Sequence, residues 1–126
     1  MATPLESVLL VESDADNRDM YAEWLTLAGF RVLTTDNALD ALSLAPRVDV
    51  IVTSMRLRGG MDGAELAEHV RADDGSKAIL IVTASVFLDE EKRGQRAGAD
   101  AVLAKPCLPH TLADEIRRVL TIKHAA

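Results

Sequence analysis

Aromatic residues are scarce in this chain. Phe, Trp and Tyr together make up 3% of its 126 residues, while 48% are hydrophobic. The core must therefore be filled by Leu, Val, Ile and Ala, and a chain of this length can bury one well-filled core as a single domain. Cysteine is nearly absent. The lone Cys107 excludes an internal disulfide and a cysteine metal cluster, which suits a reducing compartment, and the residue reads as a small buried hydrophobe. No apolar run is long enough to span a bilayer. The opening "MATPLES" lacks a basic segment followed by an apolar one, so no signal peptide is expected and the expected location is cytoplasmic. Basic charge is also short, with 14 Lys and Arg against 20 Asp and Glu and a net charge of −6. That deficit argues against direct binding of nucleic acid and against an anionic membrane surface. The acidity reads as ordinary solubility.

What is present is an alternation of short apolar runs with helical patterns. The runs are "SVLLV", "RVLT", "VDVIVT", "AILIVT" and "AVLA", and most lack the polar alternation of a half-exposed strand, as expected for a parallel sheet covered on both faces. Between them, Met20, Trp24 and Ala28 share one helical stripe, Leu66 and Val70 a second, and Leu112, Ile116 and Val119 or Leu120 a third. Gly29 ends the first helix, Asp62-Gly63 opens the third, and "AGAD" at 97–100 stops the fourth. The spacing predicts strands over about 6–11, 31–35, 48–53, 78–83 and 101–104, and helices over about 15–28, 37–44, 62–72, 88–97 and 109–122. This is an α/β, (βα)5 pattern: a doubly wound, five-stranded parallel sheet with right-handed crossovers. The tail "TIKHAA" is expected to fray, and no second domain is evident.

In an open sheet of this kind ligands sit beyond the carboxyl ends of the strands. That rule singles out Glu12, Ser13 and Asp14, then Ser54, then Thr83 and Ala84, and last Lys105 and Pro106. They lie within "LLVESDADNR", "IVTSMRLRGGMDGAEL", "ILIVTAS" and "AGADAVLAKP". In order and spacing these segments resemble the receiver domain of two-component response regulators, the CheY-like, flavodoxin-like family, over nearly the whole chain. The resemblance implies strand order 2-1-3-4-5, a phospho-accepting Asp after the third strand, an acidic pair for a metal ion after the first, a Thr or Ser after the fourth, and a cis Lys-Pro bond after the fifth.

The departures from that pattern fall on the chemistry. Glu12 stands at the first acidic position, but Ser13 takes the second and Ser54 takes the place of the acceptor. Arg58 stands where the family usually has proline, "RGGMDG" is one residue longer than the family's loop, and Val102 replaces the switch aromatic. Thr83, Ala84, Lys105 and Pro106 follow the family. Aspartyl phosphorylation needs a carboxylate nucleophile and a divalent cation, and magnesium prefers anionic oxygens. The inherited pattern here leaves Glu12 facing Lys105, one charge of each sign. Magnesium binding is therefore expected to be weak or absent, with no cofactor and no catalysis. Ser54 is expected to fill the pocket and bond to Lys105 or a backbone amide. Asp14 could swing in beside Glu12 to rebuild a weak metal site, or serve with Asp16 at the amino end of the first helix. Thr83 reads either as a phosphoryl contact or as a strand residue satisfied locally.

His69, His110 and His124 have no ligand spacing and read as solvated surface. The resemblance points to an output face carrying Arg93, Arg96, Val102, Leu103 and Arg117. The leading expectation is a receiver-like signalling module acting by protein contact, as a monomer or weak dimer, with a sensor histidine kinase or an output domain as partner. The alternatives are a phosphorylatable receiver with an atypical acceptor, and a flavodoxin-like protein binding a small ligand. The second would need a glycine loop after the first strand, which "ESDADNR" lacks. The chain could also be one domain of a longer protein.

Overall fold

Buried strands need partners on both faces, and the chain supplies them in alternation. The structure, a computed structural model, describes residues 5–84 and 88–125. Its order is β1 (Ser7–Val11), α1 (Ala15–Leu27), β2 (Arg31–Thr35), α2 (Ala38–Leu44), β3 (Val50–Ser54), α3 (Gly63–Asp73), β4 (Ala78–Thr83), α4 (Leu88–Arg96), β5 (Ala101–Ala104) and α5 (Pro109–Ala125). The strands form one parallel sheet in the order β2-β1-β3-β4-β5. Ser85, within "ILIVTAS", and the first four residues of "MATPLES" lie outside the described residues. No helix among the described residues is long and apolar enough to cross a membrane.

Alternate residues of each strand enter opposite cores. Val8, Leu10, Val50, Val52, Leu80 and Val82 meet α1 and α5, with Leu25, Leu112, Ile116 and Leu120 as the helical side of that layer. Leu9, Val11, Ile51, Ile79 and Ile81 meet α2 and α3 on the other face, with Ala41, Leu66, Ala67 and Val70. The starts of α1, α2 and α3 each have a local cause. The Asp14 carboxylate accepts the Asn17 amide at 3.2 Å, and Asn37 accepts the Asp40 amide at 2.8 Å. Asp62 and Glu65 cap α3 reciprocally, at 2.9 and 3.3 Å. At the opposite end of the sheet Arg71 binds the carbonyls of Gly75, Lys77 and Gly98 and reaches Asp100 at 3.1 Å.

Close packing places α3 and α4. A side chain on Gly63 would put its first carbon 2.2 Å from the Ser54 carbonyl oxygen, so glycine lets α3 start against the end of β3. Its amide donates to the Met55 carbonyl at 2.7 Å. α4 is almost wholly polar in sequence, and it meets the sheet through Gly94, where an added carbon would lie 2.8 Å from Val102 Cγ2. Arg93 of α4 also reaches Asp62 at 2.6 Å. Burial alone would raise the Asp62 carboxyl, but the Arg93 hydrogen bond, the capping amides and the Arg93 charge outweigh it and hold it below the usual carboxylate range.

Three sequence expectations need correction. Of the stripe Met20, Trp24 and Ala28, Ala28 packs against the core but Trp24 faces outward. The buried face of α1 centres on Leu25, flanked by Tyr21, Ala22 and Ala28, while Trp24 and Leu27 are 51% and 75% exposed. α1 carries two apolar stripes about one position apart, and helical period alone does not say which one meets the sheet. β3 begins at Val50 because the Val48 amide closes a 3-10 turn on Ala45 and the Asp49 carboxylate takes the Ser7 amide at 2.7 Å. It ends on Ser54, which pairs with Val82. The tail does not fray after residue 122: α5 runs to Ala125, with Lys123 held to Asp100 at 3.0 Å.

Leu25→Ala should therefore lower unfolding free energy by about 2–5 kcal/mol in urea titration, whereas Trp24→Ala should change it by about 0.5 kcal/mol or less. For Asp62, whose folded-state value is depressed, the stabilisation is complete above the ordinary aspartate value of about 4 and is lost as pH falls through the lower folded value. Asp62→Asn keeps a capping side chain and removes the charge. It should cost about 0.5 kcal/mol at neutral pH, kept small by the exposure of Arg93, and the difference should shrink on acidification below about pH 4.

Candidate functional site

The carboxyl ends of β1, β3, β4 and β5 bring Glu12, Ser54, Thr83 and Lys105 to one cleft. Glu12 directly follows β1, and its amide bonds to the Thr35 carbonyl at 3.1 Å. It is 5% exposed, unusual for a carboxylate without a partner. The partner is Lys105, whose Nζ lies 3.4 Å from Glu12 Oε1 and 3.4 Å from Ser54 Oγ. The second Glu12 oxygen faces the Asp14 amide at 3.5 Å. Arg18 donates to the Glu12 carbonyl at 2.9 Å. Ser54, 7% exposed, is the last residue of β3, so its hydroxyl is presented into the cleft by the ladder itself.

The backbone holds Lys105 in place. Its amide donates to the Thr83 carbonyl at 2.8 Å, and the Lys105-Pro106 bond is cis, as the resemblance implied. Thr83 is buried at the end of β4, and Ala84 beside it is exposed. Tyr21 closes the cleft floor. Its hydroxyl donates to the Cys107 carbonyl at 2.5 Å, tying α1 to the loop that follows β5. Burial, together with neighbouring Cys107 and Glu12, pushes the Tyr21 hydroxyl above its ordinary value. Burial first, then Glu115, raises the Cys107 thiol, so this buried cysteine stays a thiol. The space enclosed among Glu12, Tyr21, Ser54, Val82 and Lys105 is about 10 Å³, room for about one water.

Of the two readings open for Asp14 the structure takes the helix cap, and Ser13, expected in the pocket, points elsewhere. Asp14 is the cap of α1 and does not join Glu12 as a second acid. Ser13 turns toward the neighbouring loops, donating to the Asp36 carbonyl at 2.9 Å and accepting the Arg58 amide at 2.8 Å. The donor set fits magnesium poorly. It offers one carboxylate already facing an ammonium, a neutral hydroxyl, and a second hydroxyl engaged with backbone. Among the described residues no group of three or more His, Cys, Asp and Glu side chains could hold a metal ion.

The five residues expected on one output face do not share a surface. Arg93 is engaged with Asp62 beside α3. Val102 and Leu103, successive on a strand, enter opposite cores. Arg117 lies 5.0 Å over the Phe30 ring and donates to the Ala28 carbonyl, on the α1 side of α5. Arg96 is exposed on α4. The three histidines are exposed, with His124 3.8 Å from Glu6. Sequence reasoning missed Tyr21, Arg18 and the role of Ser13. Tyr21 is the only tyrosine in the chain and carried a faint signal. The other two act through backbone carbonyls and amides, which leave no pattern in side-chain spacing.

The profile of the response regulator receiver domain matches residues 8–117. The chain is 34% identical over 100 residues, 79% of its length, to a cyclic di-GMP phosphodiesterase of Thermotoga maritima, of which it covers 27%. It is 30% identical over 105 residues, 80% of its length, to the polar-differentiation response regulator DivK of Brucella anthropi, of which it covers 85%. The crystal structure of the chemotaxis response regulator CheY4 of Vibrio cholerae superposes with a TM-score of 0.84 at 30% identity, covering 92% of this chain and 99% of that one. The chain spans less than half the length of the phosphodiesterase and of other curated relatives it matches. The sheet order, the Lys105-Pro106 turn and a match over residues 8–117 place this chain in the response regulator receiver domain family of two-component signal transduction.

Proposed function

We propose that this receiver signals through protein contacts without an aspartyl phosphate. Ser54 stands where the family's acceptor Asp would stand, and Ser13 where one of its metal-binding acids would. The observation that carries this reading is Lys105 Nζ, 3.4 Å from both Glu12 Oε1 and Ser54 Oγ. A working acceptor site needs excess negative charge to draw in a divalent cation and a carboxylate to attack phosphorus. Here the ammonium already faces the one buried carboxylate. The Ser54 hydroxyl is un-ionised at neutral pH, and Glu12, the carboxylate lining the same cleft, is engaged with the lysine.

The switch would lack a lever as well. Val102 packs against Gly94 and belongs to the core beneath α4, so no large ring swings there between inside and outside. Contact surface is available without a switch. The outward stripe of α1 exposes Trp24 and Leu27, side chains of the kind that protein interfaces bury. The proposed partner is a histidine kinase or an output domain, whether in a separate chain or in the same longer protein.

Magnesium with beryllofluoride should leave the melting temperature and the Trp24 fluorescence unchanged, and acetyl phosphate should add no hydroxylamine-labile phosphate. Tight magnesium affinity or a trapped acyl phosphate would overturn the reading in favour of an atypical acceptor. A double-mutant cycle tests the pair directly. Lys105→Met strands a buried carboxylate and should cost about 1–3 kcal/mol of stability, reduced from the fully buried case because the lysine is partly exposed. The same substitution in a Glu12→Gln background should cost much less.

A further inference from the structure

We propose that Ser13 is a positioning residue whose single hydroxyl clasps three βα loops and fixes the rim of the cleft without a ligand. The hydroxyl sits in the β1–α1 loop. It donates to the Asp36 carbonyl in the β2–α2 loop at 2.9 Å and accepts the Arg58 amide in the β3–α3 loop at 2.8 Å. These partners lie 23 and 45 residues away in sequence, so both bonds are tertiary. Each holds a backbone group at a loop that has no ladder to satisfy it.

The chemistry of the side chain explains why a hydroxyl serves here. A hydroxyl gives one proton and accepts others, so it can bridge a carbonyl and an amide at once. A carboxylate accepts only. It could hold the Arg58 amide but would meet the Asp36 carbonyl oxygen with like charge, and a methyl group would hold neither.

The tie extends beyond the loops themselves. The Asp36 carboxylate accepts from Asn37 Nδ2 at 2.7 Å, and Asn37 caps α2, so the clasp reaches the start of that helix. On the other side Arg58 leads into Gly59, at φ 97°, and on to the Asp62 cap of α3. Residues of both tied loops, Asn37 and Arg58 among them, line a groove of about 370 Å³ beside the clasp. The clasp is a property of the loops and stands whether or not Ser54 replaces an acceptor.

Residue-resolved amide exchange and 15N order parameters on the full chain test the clasp. In the native protein the Arg58 amide, exposed in the loop but bonded, should exchange slowly. Ser13→Ala should speed it about tenfold, the worth of one lost hydrogen bond, and should lower the order parameters of Asp36 and Asn37, while β3 and β4 amides keep their protection. Ser13→Thr, which retains the hydroxyl, should restore both. Ser13→Asp should keep the Arg58 amide protected but loosen Asp36 and Asn37. Unchanged Arg58 exchange in Ser13→Ala would overturn the proposal, as would Thr behaving like Ala or an equal acceleration of every amide.

Discussion

A carboxylate taken out of water must find a counter-charge, and Glu12 depends on that constraint. At 5% exposure it cannot rely on solvent, and its oxygens face Lys105 Nζ and the Asp14 amide. Removing either member of such a pair leaves an uncompensated charge, which is far more costly than never having built the pair. The lysine is delivered by the backbone of β5, whose register with β4 sets its amide on the Thr83 carbonyl. The glutamate is delivered by β1, the strand between β2 and β3. The ion pair thus joins a central strand to the edge strand β5, and the cleft between them can close only around it.

Around this pair the loops are occupied with unsatisfied backbone groups. Asp14 takes the helix-cap role that its place before α1 allowed. Ser13 looks like a missing acid and serves as a bridge between backbones. Both roles follow from proximity to unsatisfied amides and carbonyls at the ends of strands and helices, which any short polar side chain there is recruited to satisfy. α4 shows the same economy of contact: with few apolar residues, it relies on a glycine against Val102 and an ion pair from Arg93 to the α3 cap.

The fold was legible because its signals are local and mutually consistent. Uninterrupted apolar runs mark β1, β3 and β4. Asp62-Gly63 and "AGAD" mark where helices start and stop, and the strand order followed from a resemblance carried by four segments in order. The meeting of Glu12, Ser54 and Lys105 was legible for the same reason, since strand ends at one edge of a parallel sheet must converge. The face expected to carry Arg93, Val102, Leu103 and Arg117 was not, because Val102 and Leu103 fall on opposite sides of a strand and Arg117 turns to the α1 side of α5. The buried stripe of α1 was misjudged by one position for a related reason: Trp24 and Leu25 are both apolar, and only the sheet's location chooses between them.

The order of elements, the two buried faces of each central strand and the polar residues that end the strands follow from the amino-acid order alone. Those are written in period, burial pattern and turn chemistry over stretches shorter than an element. What Ser13 does was settled only by the fold. Whether it faces the cleft or the neighbouring loops depends on the Asp36 carbonyl and the Arg58 amide, backbone groups brought together from distant segments. Those groups carry no side-chain signature, and their positions exist only once the chain has closed.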